Sequence, residues 1–200
     1  MGMDELRDND DLIMAKNYYQ AGLSVSQNDA LLNRSLGNIY LRLHQQKQRN
    51  NMNDDDHSEC SNLAKYYLRQ SAKYYTYNVE ALMTLGKLLM EERRPRAALR
   101  VFDIALDDVI QDSDLKQPNT WRSLRAMAWE ARSLAARCAV MRASWEEHHY
   151  QNDFKSRSWS RQHLPRAVSR AQTCLQASPQ DENLHRLYST AQYLLDQANY

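Results

Sequence analysis

The stretch that decides the fold is Val79–Asp112, VEALMTLGKLLMEERRPRAALRVFDIALDDVIQD. In its first half, Leu82, Leu85, Gly86 and Leu89 read L-x2-L-G-x2-L. In its second half, Ala98, Phe102 and Ala105 read A-x3-F-x2-A. On a helix the second set falls on one stripe. Small, large, small is what a helix needs where another helix approaches at two points with a bulky side chain between them. A glycine inside a helix costs about 1 kcal/mol relative to alanine, so Gly86 points to close backbone packing.

Both patterns recur outward from this stretch. Ala64, Leu68 and Ser71 stand 34 residues before Ala98, Phe102 and Ala105, with the same spacing. Ala15, Tyr19 and Gly22 repeat it again, and Ala167, Ala171 and Cys174 repeat it loosely. Leu36, Gly37 and Tyr40 echo the leucine–glycine pattern, and Trp121 and Leu124 echo its opening. Within the unit that starts at Ala30, between its two helices, the spacing breaks. Residues 45–61 carry an insertion rich in Asn, Asp and Ser, which reads as a polar loop. A polar, basic and aromatic segment, 150–163, also reads as a loop. The run from Thr120 to His149 holds few breakers and fits one long helix or two, and 182–198 reads as a closing helix.

The repeat resembles the tetratricopeptide (TPR) family, whose unit is a 34-residue helix–turn–helix. Seven of the family's eight marked positions in the best unit are met by Leu82, Leu85, Gly86, Leu89, Ala98, Phe102 and Ala105, while Ile110 stands where proline is usual. The resemblance covers 62–112 best, 12–45 fairly and the rest weakly. It implies an all-α fold, a right-handed α-α superhelix of about three TPR-like helix pairs with flanking helices. The expected organisation is an acidic N-terminal tail, 1–11, followed by a single helical domain, 12–200.

Composition agrees with a helical array and excludes other classes. The chain has 200 residues with 4 Gly and 4 Pro, too few breakers for a turn-rich sandwich or barrel. Each glycine is isolated, so both nucleotide-binding glycine fingerprints are absent. No apolar run is long enough for a membrane span. Cys60, Cys138 and Cys174 are odd in number and far apart, which suggests a reducing compartment, cytoplasmic or nuclear. The net charge of +1 hides an asymmetry: residues 1–60 hold 6 basic and 10 acidic groups, a net of −4, and residues 121–170 hold 10 and 4, a net of +6.

The resemblance also implies where a partner binds: the first helix of each pair lines a concave face. Its recognition positions fall here on Arg34, Asn38 and Leu41, then Met83, Lys87 and Met90, then Arg122, Ala126 and Trp129. The carboxylate-clamp co-chaperones of the family carry five polar grips, and this chain matches only the first two, with Arg34 and Asn38. A second candidate is a basic patch of Arg142, Lys155, Arg157, Trp159 and Arg161, flanked by Arg166 and Arg170, in which cations meet an aromatic. Such a patch suits RNA, an acidic protein or solvent. The serines of Ser156–Ser160 are candidate phosphorylation sites that would cancel it. Glu146, His149 and Asp153 have spacings that could present metal ligands on one helix face, but no second cluster supports a metal, and a solvated helix end is the expectation. No nucleophile elbow is present, and neither catalysis nor a cofactor is expected. The expected function is a protein–protein interaction scaffold or adaptor binding a peptide or protein, as a complex subunit or homodimer. An RNA-associated repeat protein using 121–170 is the alternative.

Overall fold

The computed structural model describes residues 3–49, 54–74, 78–109, 122–149 and 154–199, with side chains over 10–49, 58–74, 78–107, 124–146 and 158–199. Every regular element among them is helical: α1 (Met3–Val25), α2 (Ala30–Arg49), α3 (Asp54–Tyr74), α4 (Val79–Glu91), α5 (Pro95–Ile104), α6 (Arg122–His149), α7 (Phe154–Ala177) and α8 (Glu182–Asn199). A π-helical turn, Ala105–Val109, continues α5.

Helix starts are written in short polar side chains. Asp29 Oδ1 accepts from the backbone N–H groups of Leu31 and Leu32 at 2.8 and 2.9 Å, capping α2. Asn78 Oδ1 takes the Ala81 N–H at 3.2 Å at the head of α4. Asp181 does the same for Asn183 and Leu184 ahead of α8. The turn from α4 to α5 closes with the Arg94 N–H on the Leu89 carbonyl and the Arg93 N–H on the Met90 carbonyl, both at 2.9 Å. This is a Schellman ending, and Arg93 takes the left-handed position, φ 56°, that glycine usually fills. Pro95 then sits in the first turn of α5, where a missing N–H costs nothing.

The chain packs as two compact units, Met1–Leu85 and Gly86–Tyr200. In the first unit α1 packs on α2 and α2 on α3. The α2–α3 seam stacks Tyr40 on Tyr67, with centroids 5.6 Å apart and planes 1° from parallel. In the second unit α6 packs against α5, α7 and α8. It is a single helix, and it turns Ala128, Ala131, Ala135, Ala139 and Ala143 inward as a buried stripe.

The repeated triples explain much of this core. Ala64, Leu68 and Ser71, then Ala98, Phe102 and Ala105, then Ala167, Ala171 and Cys174 are all buried. The two mid-helix glycines do what their recurrence suggested. A Cβ on Gly86 would stand 2.5 Å from the Phe102 ring, and one on Gly37 would stand 2.9 Å from Leu68 Cγ.

Several expectations are corrected. The proposed polar loop 45–61 is mostly helix: α2 continues to Arg49 and α3 begins at Asp54. Gln45, Gln46, Lys47, Gln48 and Arg49 are polar but good helix formers, so polarity alone did not mark a loop. The basic segment 150–163 is helical from Phe154 onward and contains no glycine or proline before Pro165. The acidic tail 1–11 is part of α1 from Met3, which has no breaker before Gly22. Trp121, which echoes the opening of the pattern, lies outside the described residues.

All three cysteines are free and buried. Burial, and then the nearby charge of Asp103, push the Cys138 thiol up to about 12. Thiolate is the reactive form, so Cys138 should resist alkylation at pH 8 in the native chain and react once denaturant opens the core. Mass spectrometry after a timed iodoacetamide pulse checks this, and rapid native labelling of Cys138 would contradict the packing described.

Candidate partner-binding surface

The recognition row is built on the first helices. On α2, Arg34, Asn38 and Leu41 succeed one another down one side and are each half-buried. Arg34 is not free to meet a ligand: its guanidinium is paired with Glu80, near the start of α4. In the second unit Lys87 Nζ lies 2.7 Å from Glu130 Oε1 on α6, with both side chains partly exposed. Exposed pairs like these contribute about 0–1 kcal/mol of stability each. Their larger consequence is chemical, because two cations of the row are already answered by carboxylates from the next first helix.

The two methionines separate. Met83 is only 4% exposed, so its assignment to the binding row is corrected: it is a core side chain. Its neighbours Leu82 and Leu85 are buried too, which places Met83 inside the wide apolar arc of α4. Met90 is half-buried and reachable. Trp129 on α6 is half-buried, and its carbonyl faces the Cys174 thiol at 3.6 Å. Ala126 is exposed, and the side chain of Arg122 is outside those described. Among the described side chains the row therefore leaves Asn38 and Leu41 in the first unit, and Met90 and Trp129 in the second.

Of the four cations and one aromatic of the basic patch, the structure describes the side chains of Arg142, Trp159 and Arg161, and each is engaged within the fold. Arg142 lies 2.7 Å from the Glu146 carboxylate and 4.8 Å from the Trp145 ring centroid. Glu146, a candidate metal ligand, is itself buried and accepts from Ser160 Oγ at 3.2 Å. Ser160 is buried as well, which removes it as an accessible phosphorylation site. Arg161 donates through Nε to the Ala198 carbonyl of α8. Trp159 packs on His163, with ring centroids 4.4 Å apart. The side chains of Lys155, Arg157 and His149 are outside those described, and Asp153 is outside the described residues. Among the described residues no helix is long and apolar enough to cross a membrane, and no group of three or more His, Cys, Asp or Glu could hold a metal ion.

Solved structures of similar fold exist. The crystal structure of YrrB, a TPR protein with an unusual peptide-binding site, superposes with a TM-score of 0.56 at 16% identity, over 98% of this chain and 80% of that one. The fold is TPR-like. Two crystal structures of MamA agree with it, one at TM-score 0.56 and 16% identity over 98% of this chain and 81% of that one. The other gives 0.52 and 15% over 100% and 94%. No protein-family model and no curated protein sequence matches the chain. The TPR-like fold thus rests on three-dimensional structure and on the residue pattern quoted above.

Sequence reasoning missed Glu80 and Glu130 as partners of the row, and it missed Arg96 and Arg100 beside Trp159. The last two carry a readable signal, an i,i+4 pair of arginines just after a helix-starting proline.

Proposed function

We propose that the chain is a non-enzymatic protein-interaction scaffold or adaptor. Its first helices carry the recognition, through Asn38 and Leu41 on α2, Met90 on α4 and Trp129 on α6. The observation that carries this reading is the pairing of Arg34 with Glu80 and of Lys87 with Glu130. With those charges satisfied internally, the reachable remainder among the described side chains is Asn38 and Leu41 in the first unit and Met90 and Trp129 in the second. That remainder suits a peptide docked by side-chain packing more than an anionic ligand. YrrB, similar in fold, has a peptide-binding site by its own description, which supports the same use here. The role of complex subunit is supported by α1, which leaves Met14, Tyr18 and Val25 exposed at 54%, 77% and 90%, at spacings that share one face. The RNA reading gains nothing from Arg142, Trp159 and Arg161, whose side chains are engaged within the fold.

Affinity capture from lysate tests this, with and without RNase, comparing the parent chain with a Leu41→Gln/Met90→Gln variant. Protein partners should survive RNase and be lost from the variant. Capture that disappears with RNase and ignores the substitutions would overturn the proposal.

A further inference from the structure

In the second unit, α5 and α7 border a cavity of about 310 Å³ that none of the recognition-row residues touches. From α5 come Arg96, Leu99, Arg100 and Asp103, and from α7 come Trp159, Gln162 and His163. Arg96 and Arg100 are one helical turn apart on the same face, and both are exposed. The Arg96 guanidinium lies 5.9 Å from the Trp159 ring centroid. The carboxylate in this cavity, Asp103, is already bound by Arg170 at 2.6 Å. Arg166, exposed on the same helix as His163, acts on that ring as well. Arg170 also lies 4.0 Å from Asp107, so against Asp103 and Asp107 the four arginines, Arg96, Arg100, Arg166 and Arg170, leave a net of two positive charges. Of the four, Arg96, Arg100 and Arg166 form no ion pair with a described residue. The crowding registers at His163: burial first, and then Arg166, Arg96 and Arg170, lower its pKa against an opposing pull from Asp103.

Like charges gathered around a concave space are unfavourable until an anion enters. Arginine's planar fork matches a carboxylate with two parallel hydrogen bonds. The cavity has room for a side chain or two, at the small end of binding pockets. A nucleic acid is the poorer fit. It would need the Trp159 face for stacking, and that ring is in contact with His163 and Arg96. It would also need a track of cations, and the neighbouring Arg142 and Arg161 are tied down within the fold. We propose that the α5–α7 cleft is a docking site for an acidic segment of a partner polypeptide, whose carboxylates are taken by Arg96 and Arg100 with Arg166 beside them. The inference goes beyond the surface proposed above, since no residue of the cleft lies on α2, α4 or α6, so each proposal can fail without the other.

The test uses the full chain, titrated with a blocked octa-glutamate peptide, an octa-glutamine peptide and an oligouridylate of matched charge. The His163 imidazole is followed by NMR and affinity by calorimetry. Octa-glutamate should bind and move the His163 resonances, and octa-glutamine should not. In an Arg96→Gln/Arg100→Gln variant, whose exposed positions leave folding intact by circular dichroism, affinity should fall about tenfold. Three results would overturn the proposal: His163 unmoved by octa-glutamate, affinity unchanged in the double variant, or tighter binding of oligouridylate with the same His163 shifts.

Discussion

Phe102→Ala is expected to destabilise the chain by about 3–5 kcal/mol, the usual cost of deleting a fully buried phenylalanine. Phe102 has no exposed surface. Its ring fills the place a side chain on Gly86 would occupy, with the position of a Gly86 Cβ only 2.5 Å from Cε1 and Cζ. Helices α4 and α5 nest through this contact of glycine and ring. Removing the ring leaves a hole that Gly86, having no side chain, cannot fill, so relaxation recovers little. Urea unfolding followed by circular dichroism measures the effect. A loss below about 1 kcal/mol would contradict this packing.

The second large effect is expected from Ser71→Ala, at about 1–3 kcal/mol, the cost of stranding a buried polar group. The sequence pattern treats Ser71 only as the second small residue of its triple. In the structure its hydroxyl donates to the Ala30 carbonyl at 2.7 Å and accepts from Asn78 Nδ2 at 2.6 Å. Asn78 is 4% exposed and also caps α4 through its Oδ1. One hydroxyl thus joins the end of α3 to the starts of α2 and α4. Without it the Asn78 amide has a buried donor and no acceptor. Asn78→Ala should cost less in the Ser71→Ala background than alone, because the two side chains share a bond. Additive costs in a double-mutant cycle would contradict that linkage.

These two residues show what the sequence could and could not say. The small–large–small spacing identified Ala98, Phe102 and Ala105 as core because a helix repeats its faces every few residues. The same spacing in Ala15, Tyr19 and Gly22 gives only partly buried residues. Periodicity defines a face and does not supply the helix that covers it. Residues 45–61 were misjudged because asparagine, aspartate and serine mark turns on average, while the glutamines and basic residues beside them propagate helix. The candidate site was legible as a set of positions and less so as chemistry. The family pattern places Met83 and Met90 alike in the binding row, and burial separates them. That Arg34 meets Glu80, 46 residues away, depends on which helices become neighbours, which local pattern does not encode. The arginines beside Trp159 were overlooked for the same reason. Local pattern groups cations by nearness along the chain, and Arg96 and Arg100 come to the side of Trp159 from another helix.

The central claim is that partners are recognised by the first helices. Hydrogen–deuterium exchange of the full chain, alone and with a captured protein partner, tests it most directly. Added protection should fall on α2, on α4 and on α6 around Trp129, whether or not the α5–α7 cleft is also protected. Unchanged exchange on all three of those helices, with a partner demonstrably bound, would contradict the account.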